Sequence, residues 1–232
     1  MIDTSFDVYS DTPAGKDPDQ WSPTLRTYHA RLWSKPLSDG HYFALSTKTR
    51  DAYLHHNSDR GEFYLSSDSI GHTYKNSKPV VGVIAQIPEI ELNEFFTLAS
   101  TIGGYIVFPS RTVDQKPTIN RARGMHPRIG DRFDLTLECI RLHYGGQENP
   151  LREALGRYRN YFELFGDFYG YVEFFLLQDL IDKRTGRVKF FLPNTNFTSR
   201  PYPSDLETYR AYRDEVTAFI TARNKRIANA GV

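Results

Sequence analysis

The sequence predicts an α+β fold: a helix-dominant single domain with a small, mostly antiparallel sheet. Helical periodicity continues through most of residues 130–232, whereas residues 1–110 hold short apolar runs between turn signals. No Pro-, Gly- or Ser-rich linker divides the 232 residues. We therefore expect residues 1–232 to form a single domain, with an N-terminal mixed layer (about 1–110) and a helical layer (about 130–232).

The N-terminal layer is predicted to begin with a helix. Ser22 can cap this helix, Pro23 suits its first position, and apolar residues then share one face until about residue 33. Short strands separated by turn signals are expected after it. They cover residues 41–45, 62–65 and 80–87, and the last of these could instead be a short buried helix.

A helix and a strand are predicted to close this layer. Residues 88–100 carry glutamates early, near the positive end of a helix dipole, together with apolar residues at helical spacing. Residues 101–109 have the pattern of a strand entered through Gly103 and Gly104. The polar segment 110–130 is expected to be a loop, and a loop of about 20 residues suggests function or mobility.

The helical layer is predicted from local signals. Apolar residues from Phe133 to Tyr144 repeat at intervals of four, three and four, and a glycine pair follows them. Ser204 and Glu207 match a capping box at the start of the last helix. The predicted helices cover residues 131–144, 150–165, 169–181 and 204–227, with a strand at 187–192.

Composition excludes several classes of protein. Twenty-nine Lys and Arg residues against 28 Asp and Glu residues give a net charge of +1, so any site for a polyanion must be a local patch. The apolar stretches are far shorter than the roughly 18 residues of a membrane span, and the first residues lack the pattern of a signal peptide. The single cysteine, Cys139, cannot form an internal disulfide. We therefore expect a cytoplasmic protein without a membrane partner.

Familiar cofactor motifs are absent from the sequence. It has no phosphate-binding Walker loop, no dinucleotide-binding glycine motif, no zinc-protease motif and no Cys-x-x-Cys pair. The sequence therefore implies no cofactor and no metal, and it leaves the oligomeric state open.

Positive charge is most concentrated in residues 119–132. Several guanidinium groups on one loop suit recognition of phosphate or carboxylate, because their donors lie in a plane. Alternatively, these arginines pair with nearby carboxylates and hold the loop on the surface. The residues concerned are Arg121, Arg123, Arg128 and Arg132, with His126 among them.

The first predicted helix offers a second candidate binding face. Arg26, His29 and Trp33 are spaced by three and four residues, so on a helix they line one face, with Lys35 just beyond it. A planar ligand could stack on the indole beside a cation. Alternatively, Trp33 belongs to the core and His29 is partly buried with its hydrogen bonds satisfied.

The predicted helix 131–144 carries acidic candidates. At spacings of three, four and three, Asp131, Asp134, Glu138 and Arg141 share one face of this helix. The three carboxylates could act as bases, and His126 is a further catalytic candidate. They could also hold a divalent metal, but no histidine or further acid lies at ligand spacing. A structural face of salt bridges is the alternative.

Four segments resemble an uncharacterised family of bacterial hypothetical proteins, and the resemblance covers almost the whole chain. These segments are residues 6–19, 22–29, 32–37 and 131–141. The resemblance implies a bacterial cytoplasmic protein whose family has no assigned activity. Residues 101–109 with Asn120 also resemble a segment of HNH-related nuclease domains in restriction and phage-defence proteins, although Gly104 stands where that segment has asparagine. This second likeness implies a binding relative and not an active nuclease.

Three functions are therefore expected from the sequence. The first is a binding or accessory protein, in which the first helix and the arginine segment form a cleft for an anionic ligand such as nucleic acid. The second is a phosphoester hydrolase or nuclease-like enzyme that uses Asp131, Asp134 or Glu138. The third is a structural or protein-interaction module. An enzyme should bring a carboxylate and an arginine together at one pocket, whereas a binding module should show a broad basic groove.

Overall fold

The computed structural model describes residues 1–49, 53–75 and 77–230. It confirms the predicted class, because helices dominate and the strands form small antiparallel sheets. The N-terminal layer contains a 3₁₀ turn Val8–Asp11, α1 Pro18–Trp21, α2 Pro23–Trp33, β1 Lys35–Pro36, β2 Tyr42–Phe43, β3 Leu54–Ser58, β4 Gly61–Ser69, α3 Val81–Ile84, α4 Glu89–Ala99, a 3₁₀ turn Ile102–Gly104 and β5 Tyr105–Pro109. The helical layer contains α5 Ile119–Met125, α6 Phe133–Tyr144, α7 Arg152–Gly156, α8 Arg159–Glu163, α9 Phe168–Phe174, a 3₁₀ turn Gln178–Leu180 and α10 Leu206–Asn229.

The larger sheet places two polar residues at one of its ends. Strands β3, β4 and β5 pair antiparallel in that order, and β1 pairs with β2 separately. Near the end of β4, Asp68 lies opposite Ile106 and Ser69 lies opposite Tyr105 on β5. All five residues of β5 are buried, so this strand holds the end of β4 against the core.

Helices with clear end signals agree with the prediction. Ser22 caps α2 by accepting a hydrogen bond from the backbone N–H of Leu25 at 3.0 Å. The observed α4 and α6 also lie within the predicted ranges. The capping box of the last helix lies one residue later than predicted, because it uses Asp205 and Thr208 instead of Ser204 and Glu207, and α10 begins at Leu206. Side-chain caps therefore set the starts of α2 and α10, whereas α4 and α6 begin without one.

Two predicted strands are wrong. Residues 80–87 contain the short helix α3, which is the alternative that their apolar pattern left open. Residues 187–192 contribute only a single bridge between Val188 and Ile181. A physical reason is that the pairing beside this bridge is not continued: the N–H of Phe191 donates to the Asp134 carboxylate at 2.9 Å.

Three other predictions in the helical half need correction. The expected loop 110–130 contains α5, which accommodates Gly124 in its last turn and ends before Pro127. The expected helix 150–165 is divided into α7, which ends at Gly156, and α8. The expected helix 169–181 ends early, because Leu176 adopts a positive φ of 55° and turns the chain.

Buried apolar residues from both layers form a continuous core. The last helix, α10, packs against α4 and the Ile102–Gly104 turn, and its Arg223 side chain is fully buried. Aromatic rings fill the space around α9, with centroids 4.8 Å apart for Tyr171 and Phe175 and 4.9 Å apart for Phe165 and Phe174. Large rings at this spacing give dense packing.

Within the described residues, every helix is either too short or too polar to cross a bilayer. The 24-residue α10 has the length but carries charged residues along its course.

Candidate active site

A cleft with two adjoining chambers opens beside the end of β4, between α1, α4 and the segment before α6. The chambers have volumes of about 350 Å³ and 400 Å³. We call the first the acidic chamber, because carboxylates line it, and the second the tyrosine chamber. The acidic chamber is lined in part by Asp17, Asp19, Asp68, Tyr105 and Ala99. The tyrosine chamber is lined in part by Tyr74, Lys75, Gly124, Gly130 and Tyr202. Both chambers share Tyr9, His72, Thr73, Phe96 and Asp131.

A buried arginine joins two of these carboxylates. Arg123 on α5 is fully buried, and its guanidinium forms an ion pair with Asp68 and lies 3.4 Å from Oδ1 of Asp131. It also donates to the backbone carbonyl of Asp131 at 2.7 Å and to the hydroxyl of Thr136 at 3.1 Å. A guanidinium with this many partners has a fixed orientation. Arg123 therefore fixes Asp68 and Asp131 at the wall of the acidic chamber.

Asp131 also binds a histidine. Its Oδ2 lies 2.9 Å from Nε2 of His72, and both side chains are about 30% exposed, at 31% and 28% respectively. The hydroxyl of Ser69 lies 3.1 Å from the same ring nitrogen. A Ser-His-Asp triad requires the serine and the carboxylate on opposite ring nitrogens, so Ser69 is not activated in that way. When Nε2–H donates to Asp131, Nδ1 is the nitrogen that can accept a proton.

Asp19 contributes a different kind of carboxyl group to the same chamber. Asp17 caps α1 by accepting from the backbone N–H of Asp19 at 3.1 Å, and Pro18 occupies the first helical position. This turn directs Asp19 inward. Its Oδ1 is buried and has no hydrogen-bond partner among the described residues. Buried polar atoms without a partner are rare in folded proteins and call for a functional or structural explanation.

The environment moves the pKa values of these carboxyl groups in opposite directions. Burial, followed by the charges of Asp68 and Asp17, raises the pKa of Asp19 well above its ordinary value. Burial also raises the pKa of Asp68, against the opposing charge of Arg123. Burial acts strongly on Asp131 too, but the charges of Arg123 and His72 outweigh it and lower the pKa of Asp131. Separation of two carboxyl pKa values is the usual basis for dividing acid and base roles.

Aromatic side chains stand where the two chambers meet. The rings of Tyr9 and Phe96 have centroids 4.8 Å apart, and the two residues are 39% and 36% exposed. In the tyrosine chamber, Tyr202 packs edge-on against Tyr74 at 5.8 Å. These rings offer apolar faces to a ligand that occupies either chamber.

The described residues contain no group of three or more His, Cys, Asp and Glu side chains arranged to hold a metal ion. In the acidic chamber, Asp68 and Asp131 direct carboxylate oxygens to Arg123 and His72. Their oxygens are therefore engaged by donors of the protein itself.

Among the acidic candidates of helix 131–144, only Asp131 reaches the cleft. It precedes α6 with a positive φ of 63°, so it does not share a helix face with the others as predicted. Asp134 is fully buried in an ion pair with Arg132, which also donates to the carbonyl of Leu192 at 2.9 Å. Glu138 pairs with Arg141 through two hydrogen bonds of 2.8 Å. Both pairs agree with the structural alternative.

The predicted binding face of the first helix lies inside the protein. Trp33 is fully buried and donates its indole N–H to Nδ1 of His29 at 3.0 Å, while Nε2 of His29 lies 3.0 Å from the hydroxyl of Ser67. Arg26 donates to the backbone carbonyls of Thr47 and Tyr53, each at 2.7 Å. Its guanidinium is therefore engaged in hydrogen bonds to the surrounding backbone.

Lys35 is likewise engaged. Its ammonium donates to the carbonyl of Phe174 at 2.5 Å and lies 4.5 Å from the centroid of the Phe174 ring. Burial, aided by the charge of Arg223, lowers the pKa of Lys35 to about 8. The structure therefore does not assemble the expected cleft between the first helix and the arginine segment, because the facing side chains are used in internal contacts.

The remaining charged candidates lie apart from the two chambers. Arg121 is exposed on α5. His126 and Arg128 line a separate hollow of about 490 Å³ near Glu148 and Phe197. Of the predicted arginines, only Arg123 is part of the site, and it supports the carboxylates from behind.

Several residues of the site were not singled out in the sequence. Asp68 and His72 lie in a polar stretch without a motif, and Tyr9 and Phe96 carry no signal of function. Residues 16–19 form a dense polar segment, and the Asp17-Pro18 pair in it predicts a helix start that orients Asp19. For these missed residues, that capping signal was the local feature that could have pointed to the site.

Comparison with known proteins gives a family but no activity. No curated protein and no solved structure matches the chain. The model of DUF6994, a family of unknown function, matches residues 2–227, which confirms the expected uncharacterised family, while the likeness to HNH-related domains remains a prediction. The chain therefore belongs to the family of unknown function DUF6994.

Proposed function

We propose that this protein is a hydrolase that acts by general acid and base catalysis on an uncharged or cationic substrate. The acidic chamber is its active site. Asp19 is the general acid, His72 is the general base, and Asp131 orients His72.

One observation carries this proposal. A carboxyl group with a raised pKa and an unpartnered oxygen lines the same chamber as a histidine paired with a carboxylate whose pKa is lowered. A protonated acid and an oriented base facing one space are what hydrolysis by proton transfer requires. The second sequence hypothesis expected a carboxylate and an arginine at one pocket; Asp131 lines this chamber, whereas the fully buried Arg123 supports it from behind.

The chain's own groups support each part of the reaction. Asp131 accepts the Nε2–H of His72, so Nδ1 is left to take a proton from a water molecule. Arg123 keeps Asp131 ionised, which stabilises the positive charge that His72 then carries. Asp19 gives its proton to the leaving atom of the substrate, and burial beside Asp17 and Asp68 favours the protonated form of Asp19 until that step.

The charge of the chamber supports an uncharged or cationic substrate over a phosphoester. Four carboxyl groups line the chamber, and Arg123 is already paired with two of them. A phosphate entering this space would meet like charge. Binding of nucleic acid by an arginine cleft has less support, since Arg123 and Arg132 are buried in ion pairs.

The proposal is tested with chromogenic and natural substrates of several bond types. These are p-nitrophenyl acetate, an aminoacyl p-nitroanilide, p-nitrophenyl glycosides, nucleosides and p-nitrophenyl phosphate. We expect turnover of at least one uncharged or cationic substrate, with a loss of about 100-fold or more in Asp131→Asn and in Asp19→Asn.

Asp59→Asn is the matched control. This aspartate is exposed in the turn between β3 and β4, so the same chemical change there should leave turnover intact. No turnover by the wild-type protein, or equal rates in the wild type and both site variants, would reject the hydrolase.

We further propose that the protein works in a reducing cytoplasm. The support is the single cysteine, because Cys139 is buried, its pKa is raised by burial, and it has no internal partner for a disulfide.

A further inference from the structure

We propose that the two chambers together bind a glycoside, with the sugar in the acidic chamber and the leaving group in the tyrosine chamber. This inference rests on the proposed hydrolase and names its substrate class. The substrate class includes O-glycosides and N-glycosides. In both, the bond that is cleaved joins the anomeric carbon to the leaving atom, which is oxygen or nitrogen.

The first argument concerns the charge that develops during the reaction. Glycoside hydrolysis passes through a sugar with oxocarbenium character, which gains positive charge. Acyl and phosphoryl transfer instead place negative charge on oxygen and require donors or cations to stabilise it. Among the described residues, the guanidinium that reaches the carboxylates of the acidic chamber is that of Arg123, which is itself fully buried and lies behind the partly exposed Asp68 and Asp131. The carboxylates are therefore complementary to a cationic transition state.

The second argument concerns unsatisfied polar groups. The buried Oδ1 of Asp19 has no partner among the described residues although it borders the acidic chamber. Asp17 is exposed at the edge of the same chamber. Carboxyl oxygens are acceptors for hydroxyl groups, and a sugar presents several of these around one ring. A polyhydroxylated ligand would supply a partner to Oδ1 of Asp19 and could also bind the exposed carboxylate of Asp17.

The third argument concerns the shape of the cleft. Tyr9 and Phe96 are partly exposed and border both chambers. The apolar C–H face of a sugar ring packs well on an aromatic ring, because both surfaces are flat and poorly hydrated. His72 and Asp131 also border both chambers, so a bond that spans the junction would lie next to the base.

The reaction balances with water as the only co-reactant. Asp19 donates its proton to the glycosidic oxygen or nitrogen as the bond from that atom to the anomeric carbon breaks, and the bonding electrons leave with the leaving group. Water adds to the anomeric carbon and gives a proton to Nδ1 of His72. Asp19 regains a proton and His72 loses one to solvent, which restores the starting site.

The test measures binding of iminosugars, in which a protonated ring nitrogen imitates the charge of the transition state. Iminosugars of gluco, galacto, manno and ribo configuration are titrated calorimetrically into the wild-type protein, beside the corresponding neutral sugars. We expect at least one iminosugar to bind about 100-fold more tightly than its neutral sugar. This preference should be lost in Asp131→Asn and kept in Asp59→Asn.

Piperidine and pyrrolidine are the matched probes, because they carry the same charged nitrogen without hydroxyl groups. If they bind as tightly as the iminosugars, the chamber is a general cation site and the inference is overturned. It is also overturned if none of the four iminosugars binds.

The hydrolysis panel separates this inference from the proposed function. Asp131-dependent turnover of the ester or anilide without binding of an iminosugar leaves a hydrolase but rejects the glycoside. Binding of an iminosugar without turnover of any substrate rejects the hydrolase, and the inference with it. When a glycoside is cleaved, turnover of p-nitrophenyl glycosides or of nucleosides identifies an oxygen or a nitrogen leaving atom.

Discussion

Asp19 shows at the level of one residue how a site can be built at the expense of stability. Its carboxyl group lies among Asp17, Asp68, Ser67 and Arg123, and burial with the two acidic neighbours outweighs the hydroxyl and the guanidinium that favour ionisation. The folded protein therefore holds a proton there at pH values where an unfolded aspartate has lost it. Stability must fall as the pH rises from the ordinary aspartate pKa towards the raised pKa of Asp19.

Asp19→Asn should accordingly stabilise the protein at neutral pH, because an amide of similar shape carries no charge to desolvate. We expect the melting temperature at pH 7 to rise by about 2–4 °C, which corresponds to about 1 kcal/mol for a chain of this size. The gain should shrink near pH 4, where about half of the unfolded chains also carry the proton on this carboxyl group. The melting temperatures of the wild type and Asp19→Asn are measured at both pH values, with Asp59→Asn as the control. A lower melting temperature for Asp19→Asn than for the wild type at pH 7 would contradict the expected stabilisation.

Arg223 shows how one side chain connects elements that are distant in sequence. It projects from α10 into the core and donates to the backbone carbonyls of Phe175, Gly103 and Tyr105 at 2.6–3.2 Å. These carbonyls belong to the end of α9, the turn before β5 and β5 itself. Burial lowers the pKa of Arg223 to about 9. Among the described residues no carboxylate pairs with this guanidinium, and the hydrogen bonds to carbonyls hold it in the core.

Arg223→Ala should therefore destabilise the fold strongly, since it leaves three buried carbonyls without donors and opens a cavity. We expect a loss of about 3 kcal/mol or more in the free energy of unfolding by urea. Arg226→Ala is the matched control one turn further along α10: its partly exposed pair with Asp179 should contribute less than about 1 kcal/mol. Equal losses in the two variants would show that α10 is not held by the buried guanidinium.

Across the whole molecule, the cleft of the candidate active site is supported by contacts between the two layers. Arg123 of the helical layer binds Asp68 of the sheet, and α10 packs against α4 of the N-terminal layer. The buried apolar residues of both layers form one continuous cluster. Layers that share a core in this way should not unfold independently.

The protein should consequently unfold in one cooperative transition. In scanning calorimetry we expect a single peak whose calorimetric and van't Hoff enthalpies agree. Arg223→Ala should move that whole peak to lower temperature. Two separable peaks, or a variant that shifts only part of the transition, would mean that the layers fold as separate units.

The sequence by itself determined the fold class and the elements whose signals are local. Helices α2, α4, α6 and α10 are predicted because their caps and apolar spacing depend on neighbours within a few residues. Arg123 and Asp131 were among the candidates because they lie in a dense segment of charge, which is also a local signal. The family was also accessible from the sequence alone.

Only the tertiary structure decided which of the candidates form a site. Arg123 and Asp68 are 55 residues apart, and His29 meets Ser67 across 38 residues. Whether an arginine faces a ligand or a buried carboxylate depends on such distant partners, and local spacing does not encode them. The cleft with Asp19, His72 and Asp131 exists because the shared core brings together β4, α1 and the segment before α6. Burial and pairing in this assembly determine the environment of each charged side chain.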